Sequence, residues 1–109
     1  MPGYADMQRM MRQVQKMQEE VARIQDEVGQ RTQEASTGGG AVVVTANGKG
    51  DLMEIRISAE VVEAGDPEML ADLILTAANE ALRRGRDMMA QELGKVTGLP
   101  GGLPGLPGM

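Results

Sequence analysis

Two clusters of cations are the residues in this chain best placed to do chemistry. Arg9, Arg12 and Lys16 follow one another at i, i+3 and i+7, so a helix carries them on one face. Arg83, Arg84 and Arg86 form a second group near the other end. Side chains of this kind neutralise phosphates. Little else in the sequence competes with that chemistry. The 109 residues contain no Cys and no His, which removes disulfides, thiolate and imidazole metal sites and the commonest general base. The acids Glu19-Glu20 and Asp26-Glu27 fall on solvated helix positions that imply no cleft. No enzyme activity, no metal, no cofactor and no small-molecule substrate are expected. Gly48-Lys49 fails as a phosphate-cradling loop, because Val43 stands at the required upstream Gly and Gly50 replaces the Ser or Thr. There is no Trp or Phe and a single Tyr, Tyr4, so aromatic platforms for single-stranded bases are missing.

The formal net charge is −5, which taken alone argues against a polyanionic partner. The distribution reverses that reading. Residues 1–18 are net +2, residues 19–80 net −9 and residues 81–109 net +2. Ten Met residues supply an adaptable apolar surface. No apolar stretch reaches the length of a membrane span, and no secretory leader is visible, so a cytoplasmic protein without membrane contacts is expected.

The elements that must position the cations are legible in the apolar periodicity. Met7, Met10, Val14, Met17, Val21, Ile24 and Val28 alternate spacings of 3 and 4, an a/d seam that predicts a helix over 4–28 ended by Gly29. Residues 38–58 then read as a β-hairpin. Val42 to Val44 is β-branched, Asn47-Gly48 tolerates positive φ, and Met53, Ile55 and Ile57 alternate with Glu54, Arg56 and Ser58. The unbroken apolar run Ala41 to Val44 predicts a strand covered on both faces, the second by another copy of the chain. Residues 29–37 are polar and weakly patterned, as an edge strand can be. Ala59 to Gly65 reads as a connector. Asp66-Pro67-Glu68 starts a second long helix with an N-cap, a Pro at its first position and an acid at its positive end. Leu70, Leu73, Ile74, Ala77, Ala81, Gly85 and Met88 form its apolar stripe, and Gly94 and Gly98 end it. Residues 97–109 repeat Gly-Leu-Pro and predict a disordered tail behind one domain over 1–96. Both helices are longer than the strands. If they run roughly antiparallel, the N-terminal half of the first lies beside the C-terminal half of the second, and both basic ends meet at one projecting tip.

With these elements in order, the chain resembles the YbaB/EbfC family. The resemblance rests on Gly39-Gly40-Ala41-Val42-Val43-Val44-Thr45-Ala46-Asn47-Gly48 and on Leu52-Met53-Glu54-Ile55-Arg56-Ile57-Ser58. Asp66-Pro67-Glu68-Met69-Leu70-Ala71-Asp72-Leu73-Ile74, Ala77-Ala78-Asn79-Glu80-Ala81 and the Gly/Leu/Pro tail also carry it. It covers about residues 5–109. Val43 departs from the pattern, which usually has a polar or charged residue inside the first hairpin strand. The resemblance implies an α+β fold: a long N-terminal helix, a three-stranded antiparallel sheet including residues 29–37, and a long C-terminal helix. It implies a tweezer-like homodimer with protruding arms. It also implies a nucleoid-associated protein of the cytoplasm, binding double-stranded DNA. Arg9, Arg12, Lys16, Arg83, Arg84 and Arg86 are then the expected DNA contacts, with weak sequence preference and an effect on DNA organisation and gene expression. The rival reading is a coiled-coil-like adaptor that binds other proteins and not DNA.

Overall fold

The computed structural model describes residues 3–98. Helix α1 spans Tyr4–Gly29, and strands β1 (Thr32–Thr37), β2 (Val42–Asn47) and β3 (Leu52–Ile57) follow. A short helix α2 (Ala59–Glu63) leads into α3 (Pro67–Thr97). The three strands form one antiparallel sheet in the order β1-β2-β3. The weakly patterned stretch before the glycines is therefore a true edge strand. Its turn into β2 uses Gly38, Gly39 and Gly40 at φ of 62°, 68° and 95°, a left-handed run that other residues avoid. The connector after β3 contains α2, whose N-cap Ser58 accepts from the Val61 N–H. Asp66 caps α3 by accepting from the Met69 N–H at 3.0 Å, as the Asp-Pro-Glu sequence predicts. Gly94 lies inside α3, which runs on to Thr97 and closes at Gly98 in the left-handed conformation. The tail expected over residues 97–109 lies outside the described residues from residue 99 onward.

The register sets which face of the sheet is apolar. Ala35, Val44 and Ile55 share one side, as do Val42 with Ile57 and Ala46 with Leu52. Helix α3 lies on that side, packing over β1 and β2 and leaving β3 uncovered. Ala35, Val42, Val44, Ala46, Ala77 and Ala81 are buried there, with Leu70, Leu73, Ile74, Ala78 and Leu82 packed around them. Small Ala side chains on both layers let the helix approach closely. The opposite side carries Glu34, Ser36, Thr45, Glu54 and Arg56, with Val43 half-buried among them. The expectation that β2 is covered on both faces is thus corrected: the second face is polar, and Arg56 bonds Glu34 across it at 3.1 Å. Val43 departs from the family pattern on this polar side. The apolar surface left open lies on β3, where Leu52, Ile55 and Ile57 are 44, 44 and 38% exposed. A bulge between Thr45 and Ala46 shifts the strand by one residue, so Met53 has no cross-strand partner and Leu52 joins the apolar row.

The hairpin turn is held between the two long helices. A Cβ on Gly48 would collide with the Val28 carbonyl oxygen of α1. A Cβ on Gly85 of α3 would sit 2.5 Å from the Asn47 carbonyl oxygen. Asn47 is buried, and its Oδ1 accepts from the N–H groups of Lys49 (2.9 Å) and Asp51 (3.0 Å). The positive φ of this turn falls at Gly50, at 95°, and not at Asn47 or Gly48. Val21, Ile24 and Val28 of α1 pack on Met88, Met89, Leu93 and Val96 of α3, so the C-terminal half of α1 lies beside the C-terminal turns of α3. The expected pairing with the N-terminal half of α1 does not occur, because α3 stops at Thr97. Residues 4–19 of α1 are exposed throughout and project as a bare arm, and the molecule measures 72 × 21 × 16 Å.

Candidate nucleic-acid interface

The arm carries Arg9, Arg12 and Lys16 on an uninterrupted helix, over roughly 10 Å along its axis at about 1.5 Å per residue. Each cation follows a seam residue by two positions: Met7 and Arg9, Met10 and Arg12, Val14 and Lys16. Two residues are roughly 200° of helix, so the basic face points away from the apolar stripe. Arg9 is weakly held, its Nη2 3.8 Å from Asp6 Oδ1. Among the described residues Arg12 and Lys16 have no ion-pair partner. Neither is tied into a close pair, although Lys16 is attracted to the Glu20 carboxylate one turn on. Farther along α1, Arg23 is held by Glu20 at 2.8 Å and Glu27 at 3.0 Å. Hydrogen bonding and attraction from Arg23 lower the Glu20 pKa.

The second cluster is differently disposed. Arg83 bonds Glu80 at 2.5 Å, and Arg84 bonds the same carboxylate at 3.0 Å. Hydrogen bonds from both arginines, Arg83 first, hold the Glu80 carboxyl below the usual carboxylate range. Arg84 also donates to the Glu34 carbonyl oxygen at 2.6 Å, so it caps the outer edge of β1. Arg86 has no ion pair among the described residues. It lines an open groove of about 700 Å³ with Ser36, Thr37, Thr76, Asn79, Glu80 and Arg83. Hydroxyls, an amide and two guanidinium groups suit a phosphate there, although Glu80 opposes it.

The two clusters do not meet at one tip. Gly85 sits against the hairpin turn, which packs at the end of α1, whereas Arg12 lies some 17 residues, roughly 26 Å, farther out along α1. The arm is one basic surface and the middle of α3 is another. The acids of the sheet face and of the α2 region, Glu34, Glu54, Glu60, Glu63, Asp66 and Glu68, are all exposed on the body. Lys49, rejected in the sequence as part of a phosphate-cradling loop, also has no ion pair among the described residues; its chain lies over Gly29 at the hairpin turn. Only the fold, which carries α1 and the turn to the same region, could single it out. Among the described residues no group of His, Cys, Asp or Glu could hold a metal, and no helix is long and apolar enough to cross a membrane.

The profile of the YbaB/EbfC DNA-binding family matches residues 2–100. The chain belongs to that family. Among YbaB/EbfC relatives, a nucleoid-associated protein of Moorella thermoacetica is 53% identical over 102 residues, covering 91% of this chain and 98% of its own. One from Pelotomaculum thermopropionicum is 50% identical over 93 residues, covering 85% of this chain and 89% of its own. The fold is similar to that of a crystal structure from Helicobacter pylori, with a TM-score of 0.62 at 20% identity over 78% of this chain and 86% of the other. The YbaB/EbfC family is a DNA-binding family.

Proposed function

We propose that this chain is a nucleoid-associated protein that binds duplex DNA through its basic arm. The single observation that carries the reading is the arm itself: about four helical turns project beyond α3, with Arg12 and Lys16 unpaired on the face opposite the apolar stripe. Arg9, Arg12 and Lys16 are the primary phosphate contacts. Arg86, with Arg83 and Arg84, supplies a second patch over the sheet. Long cations on an exposed helix favour phosphates over base edges, so sequence preference is weak. The acidic body holds the duplex at the arm. Family membership and the relatives' names support the DNA partner and a place in the nucleoid. Binding of this kind alters DNA organisation and, through it, gene expression.

The functional unit is a homodimer. Its support is the apolar row Leu52, Ile55 and Ile57 on an edge strand that α3 leaves open. A second copy seated there covers the row and presents two arms.

The test is a titration of the purified protein with two unrelated duplexes at several salt concentrations. Similar affinity for both, falling linearly in log–log form by about 0.9 per phosphate contacted, is expected. No binding at low salt leaves the adaptor reading, which the bare Met stripe of the arm favours.

A further inference from the structure

The apolar seam of α1 is an interface along half its length and, among the described residues, bare along the rest. Val21, Ile24 and Val28 meet α3. Past the end of α3 the same seam continues through Met17, Val14, Met10 and Met7, which are 45, 56, 61 and 56% exposed. Met7, Met10, Met11, Val14 and Gln15 shape a shallow apolar hollow of about 380 Å³ on it, a place for a side chain of another helix.

The chemistry of the borders selects the occupant. Asp6, Met11, Gln13, Gln18 and Glu20 flank the seam, and the cations lie on the far side of the helix. An anionic bilayer favours basic side chains beside the apolar face, where they can reach the headgroups. Here they are turned away. The two acids on the border already face cations of the same helix, Asp6 with Arg9 at 3.8 Å and Glu20 with Arg23 at 2.8 Å, so a charged peptide finds little unengaged charge there. An a/d seam that already packs helix against helix farther along α1 matches another copy of itself. With the folded bodies attached at the C-terminal ends of both arms, only an antiparallel pair keeps those bodies apart. Centred near Arg12, it opposes Met7 to Met17 and Met10 to Val14.

We propose that the α1 arms of two copies pair antiparallel through Met7, Met10, Val14 and Met17, in a contact separate from the β3 row. Two heptads make a weak contact, so pairing becomes populated where copies are concentrated, above all along a duplex. The basic faces then lie on opposite sides of the pair, and one pair joins two duplexes. The self-pairing stands without DNA. The joining rests on the duplex reading given above.

The native chain has no cysteine, which makes directed cross-linking clean. In mixtures of full-length Met10→Cys and Val14→Cys proteins, the mixed disulfide is expected to form faster than either like-with-like disulfide. Equal or slower formation overturns the antiparallel pairing. Met10→Glu/Val14→Glu lies on exposed positions and is expected to keep the wild-type melting temperature. It should lose the concentration-dependent step in sedimentation velocity beyond the β3-mediated species. On mixed-sequence duplex it should bind a single duplex with the wild-type salt slope yet fail to retain a second duplex on an immobilised one. Unchanged sedimentation or unchanged retention of the second duplex overturns the proposal. Arg9→Ala/Arg12→Ala separates the two readings: it should keep the concentration-dependent step while losing the first duplex.

Discussion

Glu80 holds two arginines at once, and this decides how much of the α3 cluster is available to DNA. Its half-buried carboxylate accepts from Arg83 at 2.5 Å and from Arg84 at 3.0 Å, so phosphates must compete with an ion pair already formed. Replacing Glu80 by Gln removes the competing charge and keeps the helix propensity. Duplex affinity at low salt should rise several-fold in Glu80→Gln, and a fluorescence titration checks it. Because the folded-state pKa is depressed, the pair stabilises the fold above the ordinary carboxylate range. That contribution disappears as pH falls through the lowered value. Its size is small at a site that solvent still reaches. Composition suggested three equivalent arginines at 83, 84 and 86. Only the side-chain geometry distinguishes Arg86, which has no ion pair among the described residues, from Arg84, which holds Glu80 and bonds the Glu34 carbonyl oxygen. The arm cations are a contrasting case: their i, i+3, i+7 spacing is enough to place them on one face.

At the scale of the elements, two glycines fix the direction of the arm. Gly48 and Gly85 let the hairpin turn wedge between α1 and α3. In a helix, Gly→Ala normally gains about 1 kcal/mol of propensity. At Gly85 the new Cβ would lie 2.5 Å from a backbone oxygen, and overpacking of this kind costs about 1–3 kcal/mol. The steric term wins. Gly85→Ala should therefore melt lower than wild type by several degrees in thermal circular dichroism, and a rise would show that the contact is slack. The helices and the hairpin were legible because their periodicities are long and the Asp66-Pro67 cap is unambiguous. β1 has no apolar pattern, since its one buried residue, Ala35, is small; family resemblance supplied it. Coverage was misjudged at β2 because an apolar run does not reveal that Val43 shares its face with Glu34, Ser36 and Arg56. Helix lengths were read closely, but not which turns of α1 meet which turns of α3, because the seam is equally apolar along both halves.

For the whole molecule the account joins a body that associates to an arm that reaches out. Burying the half-exposed Leu52, Ile55 and Ile57 against a second copy contributes roughly 1 kcal/mol each. Sedimentation equilibrium should give twice the 11.6 kDa chain mass, and Ile55→Glu should shift the species toward monomer without unfolding it, because α3 does not cover β3. Removing residues 99–109 should leave the melting temperature and the dimeric state unchanged, since α3 already ends in a closed cap at Gly98. The central claim is that DNA lies on the arm. The most direct test compares Arg9→Ala/Arg12→Ala, Arg83→Ala/Arg84→Ala and Lys49→Ala/Arg56→Ala on one duplex across a range of salt, each variant first shown to keep the wild-type dimer mass. The arm variant should bind most weakly, with its log–log salt slope flattened by roughly 1.8 if both cations neutralise phosphates. The α3 variant should lose less, and the sheet variant least. An arm variant that binds like wild type while the sheet variant fails would place the duplex on the body and contradict the account.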